Sequence, residues 1–129
     1  MKIVVTGSSG YIGAVLVETL LADPKYQVIG IDRVAPVQSN RPRFDFVQCD
    51  LSASQGALDA PLFNDTQAVV HLAAARGDWA ISTAEFWRDN RDATAGLLAA
   101  AWARKVPRWV FTSSVSVYGP AATALAEDA

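Results

Sequence analysis

The chain has 129 residues, the length of one domain, and 51% of them are hydrophobic, so an ordinary buried core is available. Eleven basic residues against 13 acidic ones leave a net charge of −2 with no basic run, which excludes the electrostatic footprint of nucleic-acid binding. No apolar stretch reaches membrane-spanning length, and the single cysteine, Cys49, excludes a disulfide framework and a cysteine metal site.

The first predicted element is a strand from Lys2 to Val5, entered after one lysine, which is not the pattern of a signal peptide. Thr6-Gly7-Ser8-Ser9-Gly10-Tyr11-Ile12-Gly13 follows it and leads into a helical pattern. Glycines at this spacing, between a strand and a helix, let the backbone turn sharply, approach a pyrophosphate and pack the helix on the strand. The N–H groups opening the helix then face the anion. No Gly-Lys-Ser/Thr follows, so a P-loop is excluded; a tight turn without a ligand is the bland alternative. The helix shows Ile12, Val15, Leu16, Thr19 and Leu20 at the spacing of one buried face, and Pro24 stops it.

A second strand runs from Gln27 to Ile31 and ends on Asp32, before a polar loop from Val34 to Pro42. Phe44, Phe46 and Val47 mark a third strand ending at Cys49-Asp50, where Cys49 reads as a small buried hydrophobe. Ser52-Ala53-Ser54-Gln55 has capping-box spacing and predicts a short helix. The sequon Asn64-Asp65-Thr66 is taken as chance. Ala68 to Leu72 is a fourth strand. A second capping box, Ser82-Thr83-Ala84-Glu85, opens the longest helix, to about Arg104, with Phe86, Asn90, Ala93, Leu97 and Ala101 in one stripe. Trp109-Val110-Phe111 is a fifth strand running into Thr112-Ser113-Ser114; beyond Pro120 the pattern dissolves into Ala-rich coil.

Alternating strands and helices predict an α/β fold with a doubly wound parallel sheet, and right-handed crossovers give the order 3-2-1-4-5. The ligand site of such a Rossmann-like sheet lies at the carboxyl ends of the strands, where the order reverses between strands 1 and 4. Asp32, Asp50, His71 and Ser113-Ser114 all fall at that edge.

Asp32 lies 19 residues beyond Gly13. A carboxylate there accepts hydrogen bonds from adenosine ribose hydroxyls and repels a 2′-phosphate, so NAD is favoured over NADP. Arg33 works the other way, since a neighbouring guanidinium tolerates that phosphate. Asp50, with Leu51, stands where an adenine amino group would be accepted, or else caps the helix that follows. His71 is the only histidine, and with no triad partner nearby it reads as structural. Leu72, Ala73 and Ala74 let a cofactor lie against the backbone. Asn90, polar on a buried stripe, costs stability unless its amide finds partners, which the neighbouring strand ends would supply; the alternative is a benign surface asparagine. Thr112, Ser113 and Ser114 place hydroxyls at the nicotinamide end of a bound dinucleotide.

With the glycine loop, Asp32, Asp50-Leu51, His71-Leu72-Ala73-Ala74, Asn90 with Thr94, and Thr112-Ser113-Ser114-Val115-Ser116-Val117-Tyr118-Gly119 in this order, the chain resembles the NAD-dependent epimerase/dehydratase family, the extended short-chain dehydrogenase/reductases. The Ser-Ser-x-x-Val-Tyr-Gly segment is the most specific element and is similar to sugar-nucleotide epimerases and dehydratases. The resemblance implies a tightly held NAD, transient hydride transfer on a nucleotide-sugar, and Ser114 as the hydroxyl bonded to the reacting sugar oxygen. It further implies bonding of the cofactor through Gly7, Ser9, Gly10, Tyr11, Ile12 and Gly13; the family often forms a homodimer, with the oligomeric state left open by this sequence, and the single cysteine fits a reducing cytoplasm.

The family's acid/base Tyr-x-x-x-Lys pair does not occur: Tyr11, Tyr26 and Tyr118 each lack a lysine four residues on. The pair is expected beyond Ala129, as is the substrate lobe, so residues 1–129 read as an incomplete dinucleotide-binding domain, truncated after strand 5 and inactive alone. Two alternatives stand beside that reading: a reductase or dehydrogenase acting on a non-sugar substrate, and a non-catalytic dinucleotide-sensing module. A five-stranded sheet also leaves Trp109-Val110-Phe111 as a sticky exposed edge.

Overall fold

The structure is a computed structural model that describes residues 1–53, 62–76 and 81–119. Five strands, β1 (Lys2–Thr6), β2 (Gln27–Asp32), β3 (Phe44–Gln48), β4 (Thr66–His71) and β5 (Trp109–Phe111), form one sheet. Its order is β3-β2-β1-β4-β5, and every pairing is parallel, as the alternation predicts. The helices are α1 (Tyr11–Ala22), α2 (Thr83–Trp87) and α3 (Ala93–Ala103), and a 3-10 turn covers Val115–Tyr118. No helix among the described residues is long and apolar enough to cross a membrane. The short helix predicted from Ser52 to Gln55 and the coil after Pro120 lie outside the described residues, Ser52 and Ala53 excepted.

Strand periodicity sends alternate side chains to opposite faces. Val4, Ile29, Ile31 and Val69 pack with Leu97 and Ala101 of α3, while Ile3, Val5 and Val28 pack with Val17 and Leu21 of α1. Both faces are therefore covered, as a parallel sheet requires. Full burial of Leu97 contributes about 1.5–3 kcal/mol. Gly30 keeps β2 close to its neighbours: a Cβ there would stand 2.7 Å from the Ser8 hydroxyl and 2.9 Å from the Phe44 ring. The carboxyl end of α1 is tied down by Arg43, whose guanidinium donates to the carbonyls of Leu21, Asp23 and Tyr26. Those bonds satisfy carbonyls that a helix end leaves without partners.

The buried face of α1 differs from the predicted one. Ile12 and Val15 are 61% and 58% exposed and Thr19 is exposed; Gly13, Val17 and Leu21 are buried, with Leu16 and Leu20 half-buried beside them. Gly13 decides this. It lies so close under the loop that a Cβ would fall 2.0 Å from the Gly7 carbonyl oxygen, and this contact turns the i, i+4, i+8 row starting at residue 13 onto the sheet. An almost uniformly apolar helix offers little contrast from which to read its rotation.

The long predicted helix is also not uniform. Its capping box is present, with Glu85 N–H donating to the Ser82 hydroxyl and Ser82 N–H to the Glu85 carboxylate. Between α2 and α3, however, residues Arg88–Asp92 form a π-helical segment. The wider turn displaces the phase of the predicted stripe. Ala93, Leu97 and Ala101 are buried as predicted, but Phe86 is 39% exposed and Asp89 is buried instead. Cys49 is half-buried and not part of the closed core.

Candidate functional site

The carboxyl ends of the parallel strands share one edge of the sheet, and a cleft of about 230 Å³ opens there beside β1 and β4. This is where the strand order reverses. Its volume is below the roughly 300–1,000 Å³ of a whole ligand pocket, so it takes part of a dinucleotide rather than all of it. Gly7, Gly10, Asp32, Arg33, Leu51, Leu72, Ala73 and Ala74 line it, all of them predicted site residues, together with Cys49, Ala75 and Asp89.

The loop over the cleft is held by its own backbone. Gly7 N–H donates to the Ile31 carbonyl at 2.9 Å, and Gly10 N–H donates to the Gly7 carbonyl at 3.1 Å. Gly7 has φ +67°, and a Cβ on it would lie 2.8 Å from the Ala73 nitrogen. Gly7 and Gly13 are thus required by the fold itself. Gly10 is different. Its φ of −73° suits any residue, and a Cβ there would meet only the Gly7 carbonyl oxygen, at 3.2 Å. Beyond that tight contact, nothing among the described residues demands glycine at this point, and its bareness keeps the cleft open at the N-terminus of α1. No side chain caps that helix and its first turn carries no acid, so the positive end of its dipole is left for an anion. These features fit the pyrophosphate of a dinucleotide.

Asp32 closes one end. Its Oδ2 accepts from Ser9 N–H at 2.9 Å and its Oδ1 from Val34 N–H at 3.1 Å, which ties the loop to the end of β2. The Ser9 hydroxyl donates to the Val34 carbonyl at 2.6 Å. Asp50 Oδ1 accepts from the N–H and hydroxyl of Ser52, and the Ser52 bonds hold its carboxyl below the usual range; the helix it would cap lies outside the described residues. The same oxygen lies 3.3 Å from Arg33 Nε.

The floor, Leu72 to Ala75, is positioned by two side chains. The Asn90 amide engages both backbone polar groups of one residue, accepting from Ala75 N–H at 2.8 Å and donating to the Ala75 carbonyl at 2.9 Å. Asn90 therefore acts on the cleft through Ala75 and does not line it. His71, 2% exposed, bridges two threonines, with Nδ1 at 2.6 Å from Thr6 Oγ1 and Nε2 at 2.8 Å from Thr94 Oγ1. Directions follow from the ends of this chain. Thr6 Oγ1 accepts from Ala73 N–H, so its own proton goes to His71 Nδ1. The Thr94 hydroxyl donates to the Asn90 carbonyl, so it accepts from His71 Nε2–H. In this arrangement each proton is used once and the neutral ring satisfies the chain. Burial among uncharged partners, with Trp109 and Phe111 against the ring, pushes the His71 pKa below its ordinary value. The structural reading of His71 holds.

The other predicted residues stand apart from the cleft. Tyr11 is 91% exposed and Ile12 is exposed beside it on the first turn of α1, while Gly13 is covered by the loop. Thr112, Ser113 and Ser114 leave β5 at the same sheet edge and are exposed. Ser114 Oγ accepts from Ser116 N–H at 3.2 Å and thereby caps the 3-10 turn. Cys49, Ala75 and Asp89 escaped the sequence reading. Ala75 continues the run Leu72-Ala73-Ala74 that did give a signal, but Asp89 carries none, because the π-helical segment that buries it has no sequence period.

The model of the NAD-dependent epimerase/dehydratase family matches residues 3–129. An uncharacterised UDP-glucose epimerase of Bacillus subtilis is 34% identical over 134 residues, covering 92% of this chain and 42% of its own length. A D-erythronate dehydrogenase of Haemophilus influenzae is 32% identical over 125 residues, covering 92% of this chain and 39% of its own. The crystal structure of a UDP-glucuronic acid 4-epimerase from Bacillus cereus, in complex with UDP-glucuronic acid and NAD, superposes with a TM-score of 0.82 at 31% identity. That match covers 99% of this chain and 45% of the other. The chain thus spans less than half the length of these relatives. The chain belongs to the NAD-dependent epimerase/dehydratase family.

Proposed function

We propose that residues 1–129 form the dinucleotide-binding part of an NAD-dependent epimerase acting on a nucleotide-sugar. The ribose hydroxyls of the adenosine half bond Asp32, with Arg33 alongside, and the adenine lies by Asp50 and Leu51. The pyrophosphate sits on the loop from Gly7 through Ser9 and Gly10 to Gly13, at the first turn formed by Tyr11 and Ile12. Leu72, Ala73 and Ala74, positioned by Asn90, form the floor, and the nicotinamide half extends toward Thr112 and Ser113. When bound, the nicotinamide supplies reversible hydride exchange with a sugar carbon. The chain's own residues bind and orient, and Ser114 turns its hydroxyl from the Ser116 amide to the reacting sugar oxygen. A substrate lobe, a homodimer and a cytoplasmic setting complete the proposal. Exposed Phe86, Trp87, Leu98 and Trp102 on the α2–α3 segment support the dimer, and the lone Cys49 suits a reducing compartment.

The observation that carries this reading is Gly10, a glycine the fold does not need, placed where a Cβ would narrow the cleft. Titration calorimetry of the chain with NAD and NADP tests it. NAD binds and NADP binds more weakly; absence of NAD binding, or equal affinity, overturns it. The D-erythronate dehydrogenase relative favours a second reading, oxidation of a non-sugar-nucleotide alcohol. Net accumulation of reduced cofactor by the enzyme carrying this domain marks the dehydrogenase, and product without accumulation marks the epimerase.

A further inference from the structure

Arg33 is the group that ought to spoil selectivity for NAD, since it borders the cleft one residue after Asp32. Its guanidinium is already committed. Nη2 donates to Asp89 Oδ2 at 2.7 Å, and Nε lies 3.3 Å from Asp50 Oδ1. Asp89 comes from the π-helical segment on the far side of the cleft, and its side chain is only 4% exposed. Its second oxygen accepts from Arg88 Nε at 2.8 Å. Burial pushes the Asp89 carboxyl up, but the bonds from Arg33, Arg88 and the Ser52 hydroxyl together outweigh it and hold the group below the usual range. A buried carboxylate does not release its cations readily, because an unpaired buried charge is costly.

Three carboxylates, Asp32, Asp50 and Asp89, thus gather at this corner with two guanidiniums, Arg33 and Arg88. The balance is one negative charge, and the cation nearest the ribose site has Nη2 and Nε engaged by carboxylates. A 2′-phosphate would have to outcompete Asp89 for Arg33, whereas ribose hydroxyls need only Asp32.

Resting on the assignment of the cleft to a dinucleotide, we propose that Asp89 is a selectivity-determining positioning residue: it sequesters Arg33 and so denies that cation to a 2′-phosphate at the end of β2. The residue acts through Arg33. The π-helical segment carries it, with residue 89 buried there.

The test is the ratio of dissociation constants for NADP and NAD, measured by calorimetry on the chain and its variants. Asp89→Asn frees Arg33, and the ratio falls at least about tenfold, the value of one charge-assisted phosphate contact. In Asp89→Asn/Arg33→Ala the ratio returns to that of the parent. Arg33→Ala alone changes the ratio less than about twofold, because the parent arginine gives nothing to the phosphate. That variant keeps the idea falsifiable should Asp89→Asn fold poorly. An unchanged ratio in Asp89→Asn overturns the inference, as does a gain that survives removal of Arg33, or a large NADP-specific loss in Arg33→Ala. A parent chain that binds neither dinucleotide instead refutes the assignment of the cleft, and this inference with it.

Discussion

The three glycines of the loop look alike in the sequence and separate in the structure into two kinds, which a substitution series distinguishes. Gly13→Ala places a methyl 2.0 Å from the Gly7 carbonyl oxygen and 2.8 Å from its carbon. Carbon–oxygen contacts settle near 3.3–3.6 Å, so α1 has to retreat from the loop by more than about 1 Å. Overpacking of this kind costs about 1–3 kcal/mol. For a domain of this size that lowers Tm by roughly 5–15 °C. Gly7→Ala belongs to the same class, because φ +67° and 2.8 Å to the Ala73 nitrogen strain any side chain. Gly10→Ala meets only one atom, at 3.2 Å, and its φ is ordinary. A weaker N-cap costs about 0.5–1 kcal/mol. Loss of glycine freedom from the unfolded chain returns about 0.4–1 kcal/mol. Its Tm therefore stays within about 3 °C of the parent. Affinity for NAD falls at least about tenfold, or 1.4 kcal/mol, since the methyl occupies the pyrophosphate's approach. Gly10→Val abolishes binding with secondary structure intact. Thermal unfolding by circular dichroism and calorimetric titration read both quantities. If Gly10→Ala retains full NAD affinity, or melts as early as Gly13→Ala, the separation of the glycines is wrong.

Asp32→Ala narrows the gap between NAD and NADP affinity and also frees Ser9 N–H, so calorimetry shows weaker NAD binding while thermal unfolding shows a loss of about 1.5–3 kcal/mol for the charge-assisted bond. Asn90→Ala leaves the Ala75 N–H and carbonyl without their amide partner and costs about 1–3 kcal/mol; urea unfolding measures it, and a neutral result contradicts the role given to this side chain. His71 has a folded-state pKa below its ordinary 6.5, so the unfolded chain binds more protons in the window between the two values. Stability is full above about pH 6.5 and falls as pH drops from there toward the folded-state value. Urea midpoints at pH 7.5 and 5.5 differ in the parent and converge in His71→Gln; parallel curves refute the link. The edge strand β5 exposes Val110 and Phe111 by 53% and 54%. Val110→Lys on this strand lowers light scattering by concentrated solutions of the chain, and unchanged scattering places the sticky surface elsewhere.

Much of the fold was legible because strand and helix periods differ and the turns carry glycine or proline. Each of the five strands lies within a residue or two of its predicted bounds, and the parallel order follows from alternation and handedness. Gly7 and Gly10 of the glycine loop, Asp32, Arg33 and the run Leu72-Ala73-Ala74 were legible as candidates because they sit at strand ends, and these line the cleft. Asn90 announced itself as a polar group on an apolar stripe, and its two bonds to Ala75 explain it. The rotation of α1 was not legible, since nearly every position on it is apolar.

Local pattern by itself determined which segments pair, which edge of the sheet carries the polar residues, and that a phosphate-bearing ligand suits the loop. Those features follow from backbone geometry within a few residues and from the handedness of the crossovers. Only the tertiary structure decided which glycines serve the fold and which serves the cleft, because that distinction is a distance between atoms far apart in sequence, as between Gly7 and Ala73. It also decided the allegiance of Arg33. The carboxylate that holds it is 56 residues away, delivered by a π-helical segment that no sequence period records.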